Sequence, residues 1–208
     1  MPILCKTKDK QLKFWPKTDF YILDVEFTSW KGSLENNWTN PNEWREIIEI
    51  GSIEVSYLDD NFVIRSEFNC YIKPSINPQL STYITELTGI NQKQIDELGI
   101  SFENGLLDLN NFYNKQVPVI FNGIDGEVFK DNIIINNLNE PSWLTRSFNL
   151  RPLLSSSLKK SQDILISSQL PKISGAEDLF SHHSALGDCK SILTALNSWK
   201  KKGFLSSF

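Results

Sequence analysis

The chain has 208 residues, 40% of them hydrophobic and 22% charged, with a formal net charge of −4. That balance suits one globular domain with a substantial core, or such a domain with an appendage. No apolar stretch approaches the roughly 20 residues needed to span a bilayer, and Met1 to Lys6 has no signal-peptide layout. Cys5, Cys70 and Cys189 are far apart and odd in number, forming neither a disulfide framework nor a zinc pattern, so a reducing cytoplasm and no membrane partner are expected.

In chain order, residues 1–18 are polar and basic (Lys6, Lys8, Lys10, Lys13, Lys17) and read as an N-terminal arm. Phe20 to Phe27 is apolar apart from Asp24 and Glu26 and reads as a buried strand. Residues 28–45, with Trp30, Trp38 and Trp44, read as a long irregular loop. Strands are expected over about 46–57 and 62–72, joined by the Asp59-Asp60-Asn61 turn as part of an antiparallel meander. Pro74 and Pro78 mark an extended link, and helical stretches follow near 81–88, 91–97 and 102–115, with Gly89 as a C-cap. Val117 to Phe121 reads as a short buried parallel strand, a helix begins near Asp125 and runs to about 138, and 146–150 is a last short strand. The remainder to about 202 reads as helical, with loops near 159–162 and 171–181, and 204–208 as a tail. Strands first, then alternating helices and strands, predict an α/β fold: a mixed five-stranded sheet, antiparallel then parallel, flanked by helices.

The chemistry is carried by acids. Successive side chains on a strand point to opposite faces, so Asp24 and Glu26 project together. Two adjacent carboxylates repel, and burying either unpaired is costly. No Lys or Arg stands nearby in sequence, so a divalent cation with its preference for oxygen ligands is the natural partner. Further ligands should come from the carboxyl ends of strands. Asp125 follows the buried run Val119-Ile120-Phe121 across Asn122-Gly123-Ile124, and Asp188 lies where Ala185, Cys189 and Leu193 recur at helical spacing. His183 precedes Asp188 by five residues. Asp125 also suits a plain helix N-cap, with Glu127 as the alternative ligand, and His182 is an alternative to His183.

Asp24-x-Glu26, Asp125 after a strand, and His183-x-Ala185-x-x-Asp188 together resemble the three motifs of the DEDDh 3′→5′ exonucleases, whose fold is ribonuclease-H-like. Glu46-Ile47-Ile48-Glu49-Ile50-Gly51 resembles the family's second strand, and Leu87-Thr88-Gly89-Ile90 its Leu-Thr-Gly-Ile element. The resemblance spans roughly 20–200, which makes about 19–203 the exonuclease domain. Ser184 stands where the tyrosine subtype needs Tyr, and the glycine-bearing Asn122-Gly123-Ile124-Asp125 looks closer to the RNA-trimming branch than to the proofreading enzymes.

The resemblance implies two Mg²⁺, replaceable by Mn²⁺, held by Asp24, Glu26, Asp125 and Asp188, with His183 as general base. These five are the expected catalytic residues. Phe27, Thr28, Leu87, Thr88, Gly89, Ile90 and Asn122 are the expected substrate contacts. Two such ions would bring the net charge from −4 to about zero, so bulk acidity does not exclude a nucleic-acid partner. The expected activity is removal of nucleoside 5′-monophosphates from 3′ ends of single strands, RNA favoured, by a monomer or homodimer. The competing readings are DNA trimming or proofreading, and a catalytically silent nucleic-acid-binding adaptor. The three tryptophans either pack the long loop on the sheet or stack on a nucleobase, and the N-terminal lysines are either a solvated arm or an auxiliary phosphate contact.

Overall fold

A computed structural model describes residues 12–13, 18–177, 180, 183–203 and 205–206. His182 and Lys6, Lys8, Lys10 and Lys17 lie outside these. Leu12–Lys13 (β1) pairs in parallel with Leu205–Ser206 (β7), joining part of the expected arm to part of the expected tail. The main sheet holds β2 (Phe20–Phe27), β3 (Ile47–Leu58), β4 (Asn61–Tyr71), β5 (Val119–Phe121) and β6 (Ser147–Asn149) in the order β4-β3-β2-β5-β6. The first three pair antiparallel, and β5 and β6 add parallel on the other side of β2.

Helices cover both faces: α1 (Thr82–Thr88), α2 (Gln92–Leu98), α3 (Phe102–Phe112), α4 (Asp125–Ile135), α5 (Arg151–Leu158), α6 (Leu170–Ser174) and α7 (Ala185–Lys201). β2 is apolar along both faces because both are covered. Phe20 and Ile22 pack with Ile53, Val55, Cys189, Ile192 and Leu196 against α7. Tyr21, Leu23 and Val25 face the other way, into Leu106, Leu109, Val128, Phe129 and Trp143. Asp24 and Glu26 keep the register of Phe20 and Ile22, so they project toward α7 at the carboxyl end of the strand.

Where elements depart from the expected bounds, local chemistry gives the reason. Pro118 cannot donate to a ladder, so β5 starts at Val119 rather than Val117. α3 stops at Phe112 because Tyr113 leaves helical geometry (ψ 57°) and buries its ring, its hydroxyl 3.0 Å from Ser52 Oγ. α4 ends near the left-handed Asn137 (φ 51°) rather than at 138. A short helix, α6, stands where the start of a loop was expected: Pro171 suits its first turn and Gly175 (φ 73°) closes it. The long loop is irregular but pinned. Trp38 Nε1 donates to the Thr28 carbonyl (3.2 Å), and the Glu46 carboxylate accepts from the amides of Ser75 (2.5 Å), Ile76 (2.7 Å) and Asn77 (2.6 Å).

One glycine sets the height of α7 over the sheet. A Cβ on Gly51 would lie 2.3 Å from the Leu186 amide nitrogen and 2.4 Å from the Ala185 carbonyl carbon. The backbone of α7's first turn therefore rests directly on β3. Gly51→Ala must lift that turn, and overpacking of this kind costs about 1–3 kcal/mol. Urea unfolding of the variant should show a lowered midpoint; an unchanged midpoint would mean that the helix start yields without cost.

Candidate active site

Asp24 and Glu26 come from β2, Asp125 from the first turn of α4, and Asp188 from the first turn of α7. All four are buried: Asp24 6%, Glu26 9%, Asp125 6% and Asp188 7% exposed. The structure brings them into one cleft with His183. Ligand atoms of Glu26, His183 and Asp188 lie within 4.8 Å of one another. Asp125 Oδ1 accepts from the Val25 amide at 3.2 Å, which ties α4 to β2 between the two first-strand acids. Ile124, not Asp125, is the N-cap of α4, while Glu127 is exposed and lines a different groove. Ser167 Oγ donates to Asp24 Oδ1 (3.3 Å), and Asn122 Nδ2 reaches Ser167 Oγ (3.3 Å) and the Leu165 carbonyl (2.9 Å).

His183 takes φ 57°, a left-handed conformation that His adopts more readily than most residues, directly before the α7 N-cap Ser184. Ser184 caps through Gly187 N (3.3 Å) and Asp188 N (2.8 Å, to its carbonyl). This places Asp188 at the positive end of a 17-residue helix, where an ionised acid is favoured. Glu49 sits directly across the ladder from Glu26 and accepts from the Ala185 amide (2.9 Å), binding β3 to the start of α7.

Like charges crowd the site. Asp24 is pushed well above its ordinary range, first by burial, then by Asp125, Asp188 and Glu26. Glu26 is pushed well up by burial, then by Asp188 and Glu49. Burial raises Asp125 to about 6, moderated by its hydrogen bonds to backbone amides and by Arg151. One partly buried guanidinium does not offset four carboxylates. Hard oxygen donors, close together and under-compensated, fit divalent cations such as Mg²⁺ or Mn²⁺.

The cleft encloses about 370 Å³. Of the expected substrate contacts, Phe27, Leu87 and Asn122 line it. Thr28, Thr88, Gly89 and Ile90 do not: Thr28 is buried and bonded to the Trp44 carbonyl and the Glu46 amide, Thr88 bonds Ile84 and Ile90 in the α1 turn, Gly89 is the α1 C-cap (φ 76°), and Ile90 packs with Ile48, Ile84 and Ile95. Leu34 and Trp38 bring the long loop into the cleft wall, with the Trp38 ring 5.6 Å from that of Phe27. Tyr83, Arg151, Ser167 and Ser168 also line it. Arg151 was readable in the sequence, since it follows the last parallel strand just as Asp125 follows β5. Ser167 and Ser168 lie in a 3₁₀ turn that carries no sequence signal.

A sign follows for stability. Acids whose folded pKa is raised favour the folded state below their unfolded values, near pH 4, and that contribution is lost as pH climbs through the raised values, Asp125's of about 6 among them. In metal-free buffer, Asp24→Asn should melt higher than the unmodified chain at pH 7, with the gap closing toward pH 4. Thermal melts across that range check it; a variant that melts lower at pH 7 would show that Asp24 is compensated.

A family model described as Exonuclease, that of the RNase T family, matches residues 21–196. The chain is 34% identical over 112 residues to the 3′-5′ exonuclease Snipper of Drosophila melanogaster, covering 53% of this chain and 37% of that one. It is 36% identical over 94 residues to ERI1 exoribonuclease 2 of Xenopus laevis (45% and 12% covered) and 31% identical over 122 residues to the probable 3′-5′ exonuclease KapD of Bacillus subtilis (58% and 55%). The matched region thus spans less than two thirds of each of these relatives. The nuclease domain of 3′hExo, a DEDDh family member bound to rAMP, shares the fold at TM-score 0.77 and 22% identity, over 90% of this chain and 94% of that one. Cell-death related nuclease 4 does so at TM-score 0.73 and 18% identity, over 92% and 66%. The sheet is accordingly the ribonuclease-H-like one. The chain belongs to this exonuclease family.

Proposed function

We propose that the domain hydrolyses phosphodiester bonds from the 3′ end of single-stranded nucleic acid, RNA in preference to DNA, releasing nucleoside 5′-monophosphates. The observation that carries this reading is the meeting of Asp24 and Glu26 from β2, Asp125 from α4, Asp188 from α7 and His183 from the turn before α7 on one cleft. Asp24, Glu26, Asp125 and Asp188 would hold two divalent cations, Mg²⁺ or Mn²⁺, which when bound supply positive charge to the attacking and leaving oxygens. His183, beside Glu26 and Asp188, takes the proton from the attacking water, a role suited to an imidazole near neutral pH. Ser167 and the Val25 amide hold the Asp24 and Asp125 carboxylates in place, so little reorganisation remains at the moment of reaction. Phe27, Leu34, Trp38, Tyr83 and Leu87 form an apolar wall for the terminal base, which suits stacking without reading its edge.

The preference for RNA rests on relatives: ERI1 exoribonuclease 2 carries RNA in its name, and a 3′-exonuclease with this fold at TM-score 0.75 recognises a histone mRNA stem-loop. Location in a reducing cytoplasm fits the free thiols Cys70 and Cys189. Among the described residues no helix is long and apolar enough to cross a membrane.

Labelled RNA and DNA oligonucleotides of matched sequence, with Mn²⁺ or with excess EDTA, test the reading. Stepwise 3′ shortening with Mn²⁺ only, faster on RNA, is expected; shortening in EDTA contradicts the metal site, and faster DNA trimming contradicts the substrate. His183→Ala should lower kcat about 10²–10⁴-fold, as loss of a general base does. Binding without any hydrolysis would instead favour an adaptor role.

A further inference from the structure

The cleft has two unlike halves. α1 packs on β3 through Ile48, Ile84 and Ile90, which puts Tyr83, Ile84 and Leu87 on the β3 side of β2. Asn122, Gly123, Asp125 and Arg151 come from the ends of β5 and β6, on the opposite side of β2. A 3′-terminal base held in the apolar half has no chain beyond it, which leaves the polar half as a course for the rest of the strand.

There a second groove, of about 280 Å³, adjoins the cleft at Gly123 and runs between α4 and β6 past Gly126, Lys130, Phe148 and Asn149. Gly123 lines both, and its lack of a side chain lets Arg151 approach closely. A Cβ at that position would stand 2.7 Å from Arg151 Nη2. Arg151 therefore marks the boundary between cleft and groove. Its Nη2 donates to the Asn122 carbonyl (2.5 Å), while its Nε is buried without a hydrogen-bond partner. Its charge is faced by Asp125 and Asp24, and with Nε buried the donors it would present to a phosphate are those of the terminal nitrogens. Lys130 is exposed on α4 in the same groove. A further groove, of about 230 Å³ beyond Trp38, lies past the apolar half, and its Arg45 is paired with Asp131 at 2.5 Å, with Glu43 a further acid in its lining.

We propose that the strand 5′ of the scissile bond crosses Gly123 and lies in the groove between α4 and β6, with Arg151 on the first upstream phosphate and Lys130 on the next. This rests on the exonuclease reading above and adds the course of the substrate. Glu127 in the same groove opposes the strand, so its charge and that of Lys130 give effects of opposite sign.

The test compares kcat/KM for a 5′-fluorescein ten-nucleotide oligoadenylate and for a diadenylate, with Mn²⁺, over a range of salt. Lys130→Glu should lower the ten-mer to dinucleotide ratio roughly fivefold and flatten the salt slope for the ten-mer by about 0.7. Glu127→Gln should raise the ratio, and Trp44→Ala, in the groove beyond Trp38, should keep it at the unmodified value. An unchanged ratio and slope in Lys130→Glu overturn the proposal, as does a loss confined to Trp44→Ala. Should the unmodified chain trim neither substrate, the exonuclease reading fails. Fluorescence anisotropy of the same ten-mer then judges the groove separately, since equal affinity for Lys130→Glu and the unmodified chain also refutes it.

Discussion

Mutual repulsion of buried carboxylates is the constraint to which the rest of this molecule answers. Asp24 and Glu26 share one face of a central strand, Glu49 stands directly opposite Glu26, and Asp125 and Asp188 are brought up from two helices. Left to themselves these groups would protonate or separate. Local geometry prevents separation: the Val25 amide holds Asp125, Ser167 holds Asp24, and the Ala185 amide holds Glu49. The fold thus stores an unmet demand for positive charge at one place, and a hydrolytic site for a polyanion is what divalent cations at that place would create.

The positions of these acids follow from backbone contacts more than from their own side chains. Gly51 lets the first turn of α7 lie on β3, and that turn carries Asp188 directly behind the left-handed His183. The register between β2 and β3 breaks at Glu26 and Phe27, where β3 carries the extra residue Ile48, at the edge of the cleft. The long loop adds Leu34 and Trp38 to the wall, and it holds its shape through Thr28 and the amide-capped Glu46 instead of regular secondary structure.

Much of this was legible in the sequence, for identifiable reasons. A two-residue period fixes Asp24 and Glu26 on one face whatever the tertiary context, and strand-end placement of Asp125 follows from the apolar run before it. The mixed sheet, antiparallel first and parallel after, was readable because hairpin and crossover lengths differ. Thr28, Thr88, Gly89 and Ile90 show the limit: a motif marks a segment but not which of its side chains face outward, and in this turn three of the four complete the turn and a small satellite core. Ser167 and Tyr83 reach the cleft from segments distant in sequence, and only the folded chain shows that they meet there.

On this account the four acids are a cation site that the neighbouring Arg151 leaves under-compensated. Calorimetric titration with Mn²⁺ near pH 7 tests it most directly. Binding of two ions per chain, with protons released into the buffer as the raised carboxylates ionise, is the predicted result. No detectable binding at millimolar Mn²⁺ would contradict the account.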